Sequence, residues 1–284
     1  MHIILGGTGR VGSAVARALL ARDESVTIVT RNADHAADLK AAGAKVAVVD
    51  IREVDQLREV FRAGTRAFLL NPPADPSGDT DAEERANVAA IVAALEGSGL
   101  EKLVAASTYG ARPGERCGDL TVLYEFEQKL RAQPIPVAIN RGAYYMSNWA
   151  GMLEAVRESG SLPSFFPADL VLPMVAPDDL GKAAAERLLA PVSDVGLKFI
   201  EGPERYTPKD VADAVSDAFG MPVEVAVIPR EAWAATFLQF GFSQEAAASY
   251  ACMTAAVIDG ETPGPDEPER GAITLREYIR ALIK

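Results

Sequence analysis

Apolar and polar residues alternate along the first half of the chain with two different periods. Near-continuous apolar runs are separated by stretches in which apolar residues recur every third or fourth position. The runs predict strands buried on both faces, and the stretches predict amphipathic helices. Strands are predicted over residues 2–6, 25–30, 45–49, 66–70, 102–106 and 137–140, and helices from residue 11 onward and over 33–43, 52–62, 81–97 and 119–131. This alternation indicates an α/β fold with a doubly wound parallel sheet.

The pattern loosens after about residue 110. Residues 142–175 are rich in aromatic residues, glycine and proline and show no clean period, whereas 197–200 predicts a late strand. A proline-rich loop is predicted over residues 262–266. We therefore predict a dinucleotide-binding domain over residues 1–145 and a smaller C-terminal α/β substrate lobe over 146–284, interleaved with the last strands of the sheet.

Three glycines separate the first predicted strand from the first predicted helix. Glycines at this point permit a tight turn, a close approach of the backbone to a pyrophosphate, and close packing of helix against strand. The N–H groups that begin the helix then face the anion. A tight turn without a ligand is the alternative. The candidates for cofactor binding in this Rossmann-like turn are Gly6, Thr8, Gly9, Arg10, Val11 and Gly12.

Charge and hydropathy exclude several functional classes. The chain of 284 residues has a formal net charge of -12 and no run of Lys or Arg, which argues against binding to nucleic acid or to an anionic membrane surface. No apolar run approaches the ~20 residues of a membrane span. With no recognisable signal peptide either, we expect a cytoplasmic protein.

Cysteine and histidine are scarce. Cys117 and Cys252 are the two cysteines, a number that supports no disulfide framework and fits a reducing compartment. Cys117 has no histidine partner to activate it as a nucleophile. His2 and His35 are the two histidines, so we expect neither a Ser-His-Asp triad nor a metal site.

Seven motifs follow one another along the chain: Gly6–Gly12, Thr30–Asn32, Asp50, Glu127, Asn140–Asn148, Pro177–Gly181 and Gly202–Thr207. Together they resemble the NmrA-like group of atypical short-chain dehydrogenase/reductases. The resemblance implies a Rossmann-like fold and a nicotinamide cofactor. It implies either a reductase, similar to the quinone oxidoreductases and triphenylmethane reductases of the group, or a redox-sensing regulator that binds NADP(H) without turnover.

Arg31 follows the second strand, where dinucleotide folds meet the adenosine ribose. A guanidinium can bind a 2′-phosphate with two parallel hydrogen bonds, so we expect NADP(H) to be preferred over NAD(H). A solvated surface arginine is the alternative. At the end of the third strand, the resemblance places Asp50 and Ile51 against adenine, although Asp50 could equally cap the helix at 52–62.

The resemblance and the strand ends add further candidates. Ligands gather at the carboxyl ends of parallel strands. The cofactor-binding candidates of this kind are Asn71, Pro72, Ser107, Gly142 and Tyr144. An apolar substrate pocket is predicted from Met146, Trp149, Met152, Phe165 and Phe166, with ordinary core packing as the alternative.

The sequence does not identify one residue as the proton donor of the reaction. Catalytic short-chain dehydrogenases carry tyrosine and lysine four residues apart on one helix, whereas Tyr124 and Lys129 are five apart here and differ by about 140° around the helix. Leu123 occupies the position where the family often has histidine. Tyr124, Tyr109 and Tyr144 are the candidate catalytic residues, each of which could instead be an aromatic wall.

The missing Tyr/Lys pair favours one class of reaction. We predict hydride transfer from NADPH to a quinone-like or other conjugated apolar acceptor, because such acceptors depend least on a dedicated acid. The expected partner is therefore a small apolar or aromatic substrate. The sequence leaves a homodimer open, and the regulator alternative would require a protein partner.

Overall fold

A parallel sheet forms the centre of the computed structural model, which describes residues 1–262 and 264–283. The strands are β1 (His2–Ile4), β2 (Val26–Thr30), β3 (Lys45–Val48), β4 (Arg66–Leu69), β5 (Lys102–Thr108), β6 (Val137–Gly142), β7 (Tyr144–Tyr145), β8 (Ser161–Ser164), β9 (Leu172–Val175), β10 (Gly196–Glu201), β11 (Arg205–Tyr206), β12 (Glu224–Val227) and β13 (Glu269–Arg270).

Helices connect most of these strands. They are α1 (Arg10–Leu20), α2 (Ala37–Ala41), α3 (Val54–Arg62), α4 (Thr80–Leu95), α5 (Asp119–Arg131), α6 (Leu153–Ser159), α7 (Pro177–Leu189), α8 (Pro208–Phe219), α9 (Trp233–Gln239), α10 (Gln244–Ile258) and α11 (Leu275–Ile283). Short 3-10 segments cover Ala33–Ala36, Met146–Met152 and Arg230–Ala232.

Within the described ranges, eight strands pair in parallel in the order β13-β10-β6-β5-β4-β1-β2-β3. The strand order reverses between β1 and β4, which is the switch point where doubly wound sheets bind ligands. The predicted α/β fold is confirmed. The strands predicted from apolar runs correspond to β1–β6 and β10, with boundaries that differ by a few residues.

Both faces of the sheet are buried, which explains why the strands read as continuous apolar runs. Ile4 and Ile28 contribute to a core under α1 and α7, while Ile3, Leu5 and Val29 contribute to a core under α3, α4 and α5. Neighbouring residues of one strand therefore alternate between two separate cores, and both must be apolar.

The chain after residue 145 builds small sheets of its own and also returns to the central sheet. One small sheet has the order β11-β9-β7, and another pairs β12 with β8. Strands β10 and β13 extend the central sheet. The region without a clean period thus contains β7, β8 and β9, which are short because they serve a compact third core formed with α8 and α11.

The expectation that the two cysteines support no disulfide framework is wrong. Cys117 and Cys252 form a disulfide across 135 residues, with their Cα atoms 5.2 Å apart. The sequence could not reveal this pair because it depends on α10 packing over the segment that leads into α5. Of the predicted loop at 262–266, Pro263 lies outside the described residues. No helix in the described part of the chain has the length and hydropathy that crossing a membrane requires.

Candidate functional site

The turn between β1 and α1 is shaped by glycines that leave no room for a side chain. A Cβ atom on Gly12 would lie 2.1 Å from the carbonyl oxygen of Gly6, and one on Gly7 would lie 2.5 Å from the Cβ of Ile28. Gly6 has a positive φ of 61°, which favours glycine. The backbone is therefore held tightly against the sheet at the switch point.

Helix α1 begins without a side chain over its end. Its N-cap residue is Gly9, which makes no side-chain capping hydrogen bond, and its first turn carries no acidic residue. The N–H groups at the start of a helix have no intrahelical partners, and the dipole places partial positive charge there. The sequence-predicted residues Gly6, Thr8, Gly9, Val11 and Gly12 thus lie together around the uncapped N-terminus of α1.

Arg10 belongs to the same turn, but its side chain is directed elsewhere. Its guanidinium donates to the hydroxyl of Tyr278 on α11 at 3.4 Å. Thr8 lies within 3.3 Å of the Thr30 hydroxyl at the end of β2, and Thr30 in turn accepts the N–H of Asn32. These contacts connect the glycine turn to the segment that carries Arg31.

Arg31 is exposed immediately after β2. In the described part of the chain, its guanidinium has no hydrogen-bond or ion-pair partner. Asn32 does not extend toward a ligand, because its Oδ1 accepts the N–H of Asp34 and caps the following turn. Arg31 is therefore the free cation at this end of the site among the described residues.

Asp50 and Ile51 lie on the loop after β3. Asp50 does not cap α3, whose N-cap is Glu53; its Oδ1 accepts the N–H of Arg52 at 2.9 Å. The capping alternative is wrong because the helix begins later than the pattern suggested. Ile51 is half-buried and packs against the core under α3 and α4. Asp50 remains exposed at the carboxyl edge of the sheet.

Asn71 and Pro72 follow β4, which is the neighbour of β1. The Oδ1 atom of Asn71 is buried and has no hydrogen-bond partner among the described residues. Two residues after Pro72, the N–H of Ala74 donates to Glu84 on α4 at 3.1 Å. A buried amide oxygen without a partner beside the switch point is a polar group available to a bound molecule.

Ser107 lies at the predicted strand end but takes part in an internal network. Its hydroxyl donates to Glu127 at 2.6 Å, and Arg141 donates to both oxygens of Glu127 at 2.8 Å. Glu127 is 1 % exposed and also lies 3.6 Å from Arg131. This network of hydrogen bonds joins α5 to β5 and β6. Ser107 therefore has a structural role next to the site.

The candidate tyrosines have different surroundings. Tyr109 is buried and donates to Glu201 at 3.2 Å, and burial raises its pKa well above the ordinary range. Burial also raises the pKa of Tyr144 to about 12. Tyr124 is half-buried on α5, where Lys129 lies 3.4 Å from Glu125 instead of approaching it. A phenol with a raised pKa releases its proton less readily, so neither Tyr109 nor Tyr144 is tuned as an acid.

Most of the predicted pocket aromatics belong to the third core. Tyr144 makes edge contacts with Trp149 at 6.0 Å and Phe166 at 5.3 Å between ring centroids, and Met146 is fully buried. Phe165 is the exception: it stacks on Phe237 at 4.4 Å, within an aromatic cluster of the C-terminal region. Gly142 ends β6, where a Cβ would lie 2.9 Å from the ring of Tyr145.

The sequence analysis missed one buried carboxyl group. Glu84 is buried on α4, and burial followed by the charge of Asp119 raises its pKa to about 8. Asp119 is the first residue of α5 and is exposed to solvent. A signal for Glu84 exists, because it shares the apolar stripe of α4 with Val88 and Ile91.

The residues fit a dinucleotide. Gly7 and Gly12 leave no space for a Cβ atom in the turn, the α1 terminus has no capping side chain, and Asn71 offers a buried acceptor. Arg31 provides a cation at the far end. All of these groups lie at the carboxyl edge of β1, β2 and β4, as the switch-point rule requires.

The NmrA-like family model matches residues 2–261 of this chain. The chain belongs to the NmrA-like family. It is 25% identical over 232 residues to the NAD(P)H azoreductase of Xenophilus azovorans, with 81% of this chain and 78% of the azoreductase covered.

Two solved structures share the fold over almost their entire length. The triphenylmethane reductase of Citrobacter sp., solved with NADP(H), has a TM-score of 0.81 at 19% identity, with 99% of each chain covered. The NADPH-dependent quinone oxidoreductase of Escherichia coli has a TM-score of 0.77 at 19% identity, with 100% of each chain covered. The predicted family and fold are thus confirmed.

Proposed function

We propose that this protein is an NAD(P)H-dependent oxidoreductase that reduces a quinone-like or other conjugated apolar acceptor. The observation that carries the proposal is the uncapped start of α1 beside a glycine turn in which Gly7 and Gly12 leave no space for a Cβ atom. The names of the azoreductase, the triphenylmethane reductase and the quinone oxidoreductase support it, since each acts on a conjugated molecule.

Different residues of the site would bind the two ends of the dinucleotide. The start of α1 would hold the pyrophosphate, Arg31 the adenosine end with a preference for a 2′-phosphate, and Asn71 the nicotinamide end. When bound, the nicotinamide supplies the hydride. The network of Ser107, Glu127 and Arg141 keeps α5 fixed against the sheet, so that the acceptor side of the cleft has a rigid wall.

The acceptor side favours a flat conjugated molecule. Aromatic residues of the C-terminal region gather beside it, with Phe165 stacked on Phe237 and Tyr250 at the edge of the same cluster. Such rings offer stacking surface to a planar ligand. No tyrosine and lysine lie in the dyad spacing on α5, which disfavours simple ketone reduction.

The rate at which NADPH absorbance decreases in the presence of an acceptor tests the proposal directly. Purified protein is mixed with NADPH and a panel of quinones, azo dyes and cationic triphenylmethane dyes, and we expect acceptor-dependent NADPH oxidation. Gly12→Ala, whose Cβ would meet Gly6 at 2.1 Å, is expected to lose NADPH binding by tenfold or more, whereas Gly151→Ala, with open space around it, is the matched control. NADPH oxidation no faster than the blank with every acceptor would contradict the proposal.

The redox-sensing regulator is a second candidate. The spacing of Tyr124 and Lys129 favours it, because a protein without turnover needs no acid. It predicts selective NADP(H) binding, measured by calorimetry, and a change in affinity for a protein partner with the redox state of the cofactor. Robust turnover together with a partner-free pull-down would reject it.

A further inference from the structure

Helices α9 and α10 form a hairpin, residues 230–261, with a small core of its own. Trp233 and Phe237 of α9 are buried together with Ala247 of α10, in a cluster distinct from the larger cores. Arg230 donates to both carboxylate oxygens of Asp259, at 2.9 and 2.7 Å, which joins the segment before α9 to the end of α10. A segment with its own core can open as a unit when its attachments to the rest of the protein are weak.

Hydrogen bonds and an ion pair attach the two ends of α10 to the loops after β4 and β5. At its start, Ser243 donates through its N–H to the carbonyl of Pro76 at 2.8 Å and through its hydroxyl to the carbonyl of Gly78 at 2.7 Å. After its end, the carboxylate of Glu261 accepts a hydrogen bond from Arg112 at 2.6 Å, and solvent reaches both side chains. Such bonds compete with water, so each holds the hairpin only weakly.

The disulfide attaches the middle of α10. Cys252 is bonded to Cys117, which directly precedes the N-cap residue of α5, Gly118. Helix α10 lies so close to this turn that a Cβ on Gly118 would be 2.7 Å from the sulfur of Met253. The hairpin is therefore held covalently on the start of α5, between two ends that are held by weaker bonds.

The two cysteines differ in access. Cys252 is half-buried, whereas Cys117 is 4% exposed. Thiol–disulfide exchange requires a thiolate to reach one of the two sulfurs, and accessible disulfides are the ones that exchange most readily. The chain has no third cysteine, so no other thiol within it competes for either sulfur. An external thiol can therefore attack the folded protein at Cys252.

The hairpin carries two of the rings assigned to the proposed acceptor side. Phe237 and Tyr250 have ring centroids 5.9 Å apart, and Phe165 stacks on Phe237. The adenosine side, from Gly6 to Gly12 and at Arg31, makes no hydrogen bond with the hairpin in the described part of the chain. Movement of the hairpin would therefore change the acceptor side and leave the adenosine side intact.

We propose that Cys117 and Cys252 form a thiol–disulfide switch that regulates the acceptor side. The disulfide keeps the hairpin closed on the start of α5. Reduction to two thiols leaves the hairpin held by noncovalent contacts, so that it opens. The effect on catalysis rests on the proposed function, whereas the opening of the hairpin does not.

The reductant is a dithiol, and the step balances. One thiolate of the dithiol attacks the sulfur of Cys252, the bond between the two cysteine sulfurs breaks, and Cys117 leaves as a thiolate that takes a proton from water. The second thiolate of the dithiol then attacks the dithiol sulfur that is bonded to Cys252, which leaves as a thiolate and is protonated in the same way. The protein gains two electrons and two protons, and the dithiol is oxidised to a disulfide.

Hydrogen exchange tests the opening without acceptor or cofactor. Wild-type protein is treated with dithiothreitol in the absence of denaturant, and the freed thiols are counted by alkylation and mass spectrometry. We expect both cysteines to be alkylated, the amides of α10 to exchange about tenfold faster or more than in the oxidised protein, and the amides of α1 to keep their rate. Alkylation that requires urea, or equal α10 exchange in the two forms, would overturn the inference.

Kinetics with NADPH and a quinone test the regulation. The dithiol is removed before the assay, because dithiols themselves reduce quinones. Compared with the oxidised form, reduced wild type is expected to have a KM for the quinone raised about tenfold or more and an affinity for NADPH changed less than about twofold. A KM that does not differ between the two forms would overturn the inference.

The double variant Cys117→Ser/Cys252→Ser is the matched control. It is expected to show the raised KM of reduced wild type both before and after treatment with the dithiol, since it has no bond to break. A response of this variant to the dithiol would overturn the inference. The comparison of oxidised with reduced wild type needs no substitution, so it remains decisive even where the variant does not fold.

The exchange data separate the switch from the proposed function. If neither form of the wild type oxidises NADPH with any acceptor, while α10 exchange still responds to the dithiol, the proposed function is overturned and the opening of the hairpin is supported.

Discussion

The adenosine side and the acceptor side of the candidate site are built in opposite ways. The adenosine side consists of consecutive residues, from Gly6 to Gly12 and then Arg31, and relies mainly on backbone atoms. The proposed acceptor side combines side chains of separate elements, with Ser107 on β5, Glu127 on α5 and Tyr250 on α10. A binding turn built from backbone atoms can be recognised as a sequence motif, because its tightest positions accept only glycine. A cluster of side chains from separate elements leaves none.

The disulfide is a covalent link within the proposed acceptor side. Cys117 precedes α5, and Cys252 lies on α10. A cross-link that closes a loop of 135 residues restricts the unfolded chain, which stabilises the protein by about 4–5 kcal/mol in the chain-entropy model. We expect the double variant Cys117→Ser/Cys252→Ser to lose about that much free energy of unfolding in urea.

Reduction of the wild type is the control for that prediction. Wild-type protein in excess dithiol is expected to match the double variant, since the same bond is absent from both. Equal stability of oxidised wild type and double variant would show that the link between α5 and α10 contributes nothing in solution.

The next largest loss of stability is expected when the network of Ser107, Glu127 and Arg141 is disrupted. Glu127→Ala would leave Arg141 and Ser107 without their shared partner, and loss of one member of a buried ion pair costs about 3–5 kcal/mol. Glu125→Gln on the same helix removes a half-exposed carboxylate and is expected to cost less than about 1 kcal/mol. Urea unfolding measures both. Similar losses would indicate that the buried network does not fix α5.

The stability of the protein should depend on pH through Glu84. Its pKa is about 8 when folded and 4.5 in the ordinary case, so the folded protein binds this proton more tightly than the unfolded chain. The resulting stabilisation is complete below pH 4.5 and is lost as the pH rises to about 8, with a slope of at most about 1.4 kcal/mol per pH unit. Urea unfolding at several pH values is expected to show a smaller slope for Glu84→Gln. An unchanged slope would contradict the burial of an unpaired carboxyl on the acceptor side.

The smallest effect concerns the adenosine side. Arg31→Asp replaces the free cation with an anion, which would repel a 2′-phosphate and tolerate a 2′-hydroxyl. We expect NADPH affinity to fall about tenfold or more while NADH affinity changes less than about threefold, as measured by calorimetry. Arg22→Asp, an exposed arginine after α1, is the matched control. Equal wild-type affinity for the two cofactors would reject the NADP(H) preference.

Much of the fold could be predicted because the central sheet is buried on both faces. Ile3, Ile4 and Leu5 must all be apolar to serve two cores, and that requirement is visible as an uninterrupted run. Strands β7, β8 and β9 escaped prediction because each is short and pairs with a partner distant in sequence, such as β12 or β11. Their register depends on tertiary contacts instead of local pattern.

The sequence by itself determined the order of strands and helices in the first half of the chain and the glycine turn, because burial and steric exclusion act on neighbouring residues. Tertiary structure alone decided that Glu84 would be buried, that Ser107 and Tyr109 would be engaged by Glu127 and Glu201, and that two distant cysteines would pair. The physical reason is that desolvation and charge depend on which elements pack together, and no local pattern encodes that environment.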